Sequence, residues 1–159
     1  MHSGVLERQA PVHINSPNLR GPNGDLPAYG AVVHWQSAAA ARSRFMSRVG
    51  GRLAVGCATR ISRVVYEHAL WHATLLSVGG NALDLPSLGG TTAAVRVRTV
   101  IESNQQIAHP HITLYDDQLN VLKGRALVDV NLNAVNSPFP PALEVRLARL
   151  VVGRLRHSG

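Results

Sequence analysis

Two copies of one short pattern, His72-Ala73-Thr74-Leu75 and His111-Ile112-Thr113-Leu114, are the residues of this chain best suited to proton chemistry. Each is expected in a strand, where residues two apart share a face, so each imidazole would lie beside a threonine hydroxyl. A second candidate is the polar stretch NSPNLRGPNGD, Asn15–Asp25, expected to be a shaped loop feeding a helix. Free backbone N–H groups point outward at a helix N-terminus, where they can meet a substrate carbonyl. The remaining histidines, His13, His34, His68, His109 and His157, have no ligand spacing that suggests a metal. The lone Cys57 excludes an internal disulfide and a cysteine-cluster metal site, and its place in an apolar pattern predicts a small buried residue.

The elements that must position these groups begin with a helix expected over Leu26–Val49. Asp25 is placed to cap it, Pro27 suits its first turn, and Ala38–Ala41 give high propensity with little bulk. Arg42, Arg44 and Arg48 load its C-terminal end, and Gly50 and Gly51 stop it. Ahead of it, residues 1–25 read as an arm in which only Val12–Asn15 suits a strand; residues 26–159 read as one domain. After the helix the spacing predicts strands over 53–67, 70–78, 92–103, 107–116 and 123–135, with 79–90 as a turn-rich loop. SNQQ and DQLN are the expected short connections of an antiparallel meander. Val95 and Val97 alternate with Arg96 and Arg98, and Val128, Val130 and Leu132 with Asp129, Asn131 and Asn133, which predicts one apolar and one wet face. A terminal helix over about 141–156 follows Pro140 and Pro141, with a stripe of Leu143, Leu147, Leu150 and Val151.

Composition narrows the function classes. The apolar fraction of 45% suits one globular domain with a real core. No apolar run reaches the ~18 residues of a membrane span, and the N-terminus lacks a signal-peptide core, so a cytoplasmic protein without a membrane partner is expected. The net charge of +7, all of its cations but Lys123 being arginine, favours an anionic partner. Aromatic residues at 4% are too few for the stacking platforms of a single-strand nucleic-acid binder, which makes nucleic acid an unlikely ligand.

Three passages carry a resemblance to a known family: ATRISRVVYEHALWHATLLSV, VRVRTVIESNQQIAHPHITLYDDQLNVLKGRALVDVNL and NSPFPPALEVRLARL. They resemble the hot-dog acyl thioesterases of the 4-hydroxybenzoyl-CoA thioesterase type, including those of enediyne polyketide pathways. The resemblance implies an α+β hot-dog fold, with about five or six antiparallel strands wrapped around one central helix and a C-terminal helix. It implies hydrolysis of an acyl or polyketide thioester carried by CoA or an acyl carrier protein, no cofactor, and a homodimer or homotetramer. On its motif fall Asn18 and Gly21 ahead of the helix, with Asp25 as a rival to Asn18, then Tyr29 and, as a second polarising group, Arg42. Arg60, Arg63, Arg96 and Arg98 would meet the phosphates of CoA or an acidic carrier surface. The two His-x-Thr-Leu pairs instead resemble the signature of the 2H phosphoesterases, which act on a cyclic phosphate or RNA end; here His72/Thr74 and His111/Thr113 would carry the chemistry. A third reading keeps the scaffold as a non-catalytic acyl-thioester-binding protein.

Overall fold

The computed structural model describes residues 12–15, 19–20, 27–49, 52–69, 73–104 and 111–154. In chain order they form β1 (Val12–Asn15), β2 (Leu19–Arg20), β3 (Pro27–His34), α1 (Ala38–Val49), α2 (Arg52–Ala69), β4 (Ala73–Leu83), β5 (Thr91–Ser103), β6 (His111–Lys123), β7 (Ala126–Val135) and α3 (Pro141–Arg154). The protein is α+β. All strands join one seven-stranded antiparallel sheet in the order β1-β3-β7-β6-β5-β4, with β2 also on β3. Among the described residues no helix is long and apolar enough to cross a membrane.

The helix expected over Leu26–Val49 is a strand followed by a shorter helix. Pro27–His34 is held between β1 and β7, a position that β-branched Val32 and Val33 suit. Helix α1 starts after Ser37, whose Oγ accepts the Ala40 N–H at 3.1 Å, so the cap is Ser37. The proposed cap, Asp25, lies outside the described residues. Ala41 and Phe45 bury the inner face of α1 against β6 and β7.

The strand expected over 53–67 is helix α2. Its β-branched residues favour a strand locally, but the positions that bury are Ala54 and Ser62, with Ala58 partly covered between them, a helical spacing that packs against β4 and β5. Cys57, expected to be buried, is exposed on this helix. The contact is close: a Cβ on Gly80 of β4 would stand 2.7 Å from Thr59 Oγ1 and 3.2 Å from a Val55 methyl. Strand β4 runs through Leu83, into the stretch expected to be loop, and β6 runs through DQLN. The β6–β7 hairpin turns at Gly124-Arg125, where Gly124 has φ +58°, a conformation glycine adopts freely.

Both faces of the sheet are covered. Arg96, Asp117 and Leu132 stand in one row, while Val95, Gln118 and Asn131 stand in the adjacent row and so on the opposite face. The apolar residues of β5 and β7 therefore point to opposite sides, which corrects the expectation of one apolar and one wet face. Toward α3, Leu119, Val121, Val128, Leu132, Ala148 and Val152 form the larger core. Toward α1 and α2, Val95 and Val97 pack with Ala54, Ala58, Val49 and Val78. Each fully buried Leu or Val of these clusters contributes about 1.5–3 kcal/mol of transfer free energy.

Candidate functional site

Between α1, α2 and the sheet lies a cavity of about 630 Å³. Its walls follow from the small residues just described. Alanines at 54 and 58 hold α2 near the sheet without filling the space over β3 and β7, and Ala31 and Val33 supply a thin apolar floor. Cys57 and Ile61 of α2 and Val95 of β5 continue the apolar wall.

The polar lining is concentrated on the central strands and on α1. Asp129 and Asn131 come from β7, Gln118 and Asn120 from β6, and Arg44 and Arg48 from α1. Arg48 Nη1 donates to Asp129 Oδ2 at 2.5 Å, joining helix to strand. The arginine side chain keeps 44% of its exposure, whereas that of Asp129 keeps 15%. Asp129 Oδ1 is buried and has no hydrogen-bond partner among the described residues. A carboxylate oxygen in that state costs free energy that a donor would recover, so the site is incomplete without one. Gln118 Nε2 donates to Asp116 Oδ2 at 2.9 Å. Burial above all, and the Asp117 charge, raise Asp116 from its ordinary value, with the Gln118 hydrogen bond opposing; burial and Asp116 likewise raise Tyr66 on α2.

The expected site residues are placed as follows. Asn18, Gly21, Asp25 and His72 lie outside the described residues. Tyr29 sits in β3 at the register position opposite Asn131. Arg42 is exposed on α1 and does not line the cavity, though Arg44 and Arg48 of the same helix do. Arg60 and Arg63 are exposed on α2, Arg63 standing 3.9 Å from Glu67. Arg96 is on the opposite face of the sheet and is held by Asp117 and Glu144, which corrects its assignment to a phosphate; Arg98 is exposed on the same face. Of the histidine patterns, Thr74, Glu102 and His111 fall in one row across β4, β5 and β6. Thr74 Oγ1 donates to Asn104 Oδ1 at 3.2 Å, and His111 Nε2 is 3.2 Å from Glu102 Oε1, with the imidazole 63% exposed. The Thr113 backbone N–H donates to Asn136 Oδ1.

Compared with known proteins, the chain matches no family model, no curated protein and no solved structure. The cavity residues the sequence did not single out as a site are Asp129, Asn131, Gln118, Asn120, Arg44 and Arg48. The signal for the first two was the alternation of Asp129 and Asn131 with Val128 and Val130.

Proposed function

We propose that the protein binds a small organic molecule in the cavity between α1, α2 and the sheet, and that this molecule is an acyl thioester that the protein hydrolyses. The observation that carries the reading is Asp129, a carboxylate in the cavity wall with one oxygen held by Arg48 and the other buried without a donor. The volume lies in the range of about 300–1,000 Å³ that small-molecule sites occupy. In this reading Asp129 takes a proton from the attacking water as the water oxygen bonds to the acyl carbon, and returns it to the sulfur as the C–S bond breaks, so that the acid and the free thiol leave and the carboxylate is restored. Arg44, at the cavity wall, takes an anionic group of the thiol carrier. The hot-dog architecture and an assembly of two or four copies belong to the same proposal and rest on the sequence resemblance.

The experiment is thiol release from a panel of short-, medium- and long-chain acyl-CoA thioesters. Asp129→Asn is expected to lower the rate at least 100-fold while the protein stays folded. Equal rates for the two proteins would remove Asp129 from the reaction. Absence of thiol release with every chain length, together with saturable acyl-CoA binding, would establish the non-catalytic binding protein instead. That second reading is favoured by the Arg48 contact, which already occupies one carboxylate oxygen. The phosphoesterase reading draws no support from the cavity, since His111 is outside it; hydrolysis of a cyclic nucleotide that is lost in His111→Ala would restore it.

A further inference from the structure

Three charged groups meet between α3 and the sheet, on the side away from the cavity: two buried carboxylates and an arginine whose side chain keeps 16% of its exposure. Arg96 donates through Nε and Nη2 to the two oxygens of Asp117, at 2.6 and 2.7 Å, and through Nη2 to Glu144 Oε1 at 2.6 Å. Asp117 is 0% exposed and Glu144 1%. Two ionised carboxylates facing one guanidinium leave a surplus negative charge where water cannot solvate it. Among the described residues, no second cation pairs with Asp117 or Glu144. Opposite Arg96 on β4 stands Asn81, and opposite Asp117 on β7 stands Leu132. Tyr115 of β6 lies 5.9 Å from the guanidinium. Arg98 on β5 and Arg146 and Arg149 on α3 are exposed.

We propose that Asp117 and Glu144 hold one proton between them over Arg96, and that this shared proton latches α3 to the sheet. The protonated carboxyl donates to the ionised one, and the guanidinium then balances a single negative charge. Burial first, and the Asp117 charge second, push Glu144 up to about 7. In the unfolded chain the same carboxyl titrates near 4.5. The folded chain therefore binds the extra proton across the window from pH 4.5 to about 7. Stability from the latch is fully present below that window, falls as pH rises through it, and is level above it. Loosening α3 would uncover the apolar face formed by Leu119, Val128 and Leu132.

The test is urea unfolding of the full chain at pH 5, 6, 7 and 8, beside Glu144→Gln, which keeps a neutral donor at the same place. The unfolding constant of the unsubstituted protein is expected to rise at least tenfold more than that of Glu144→Gln between pH 5 and pH 8. Parallel profiles for the two proteins would overturn the latch. Carboxyl-carbon NMR of the unsubstituted protein decides the matter even if Glu144→Gln does not fold. A Glu or Asp signal titrating near pH 7, linked to α3 amide shifts, supports the shared proton; titration of every carboxyl below pH 5 refutes it.

Discussion

Arg96 and Arg48 show how differently two arginine–carboxylate contacts weigh on stability. Arg96→Ala would strand Asp117 and Glu144, both buried, and is expected to lower unfolding free energy by about 3–5 kcal/mol in urea titration. Arg96→Lys keeps the charge but loses the planar fork, and should fall between that variant and the unsubstituted protein. Arg48→Ala breaks a contact whose arginine is half in solvent, so a loss of about 1 kcal/mol is expected by the same titration. Sequence inspection could see each of these residues but not its partner. Arg96 and Asp129 both alternate with valines, and alternation alone reads as exposed polarity. What reverses the reading is burial by a helix on each side of the sheet, which a local pattern does not contain.

At the scale of elements, the strands of the meander were largely legible and the helical layer was not. β5 and β7 were readable from alternating valines, β1 from a short apolar run between turn residues, and α3 from its paired prolines and leucine spacing. α2 was misread because Val55, Thr59, Ile61, Val64 and Val65 favour a strand at short range, while the decisive contact, Gly80 against Thr59 and Val55, spans two elements. Gly80→Ala is expected to cost about 1–3 kcal/mol, and adding Thr59→Ala should recover part of it; a double-mutant cycle from urea titrations measures the coupling. Gly90→Ala should cost more than Gly80→Ala, since its Cβ would stand 2.3 Å from the Leu122 carbonyl oxygen, and backbone cannot move aside as a hydroxyl can. Differential scanning calorimetry of the two single variants gives the order. The misreading of α2 also hid the cavity, because a site between two helices and a sheet cannot be assembled when one helix is taken for a strand.

At the scale of the whole molecule, helices on both faces of the sheet still leave apolar side chains of α2 facing outward. Val64 and Val65 on the outer side of α2 are 50% and 53% exposed. Val65→Lys is therefore expected to change unfolding free energy by less than about 0.5 kcal/mol, as read by urea titration. The order of the sheet has a separate consequence. Strands β4 to β7 are joined to their neighbours in sequence, so each can zip onto the previous one early in folding. The edge between β3 and β7 joins opposite ends of the domain and must wait for the rest. Ala31, Val33, Asp129 and Asn131 straddle that edge, so whatever occupies the chamber acts as a clasp on the last seam to close. A bound molecule should slow amide exchange along β3 and β7 before it slows exchange anywhere in the β4–β5 hairpin.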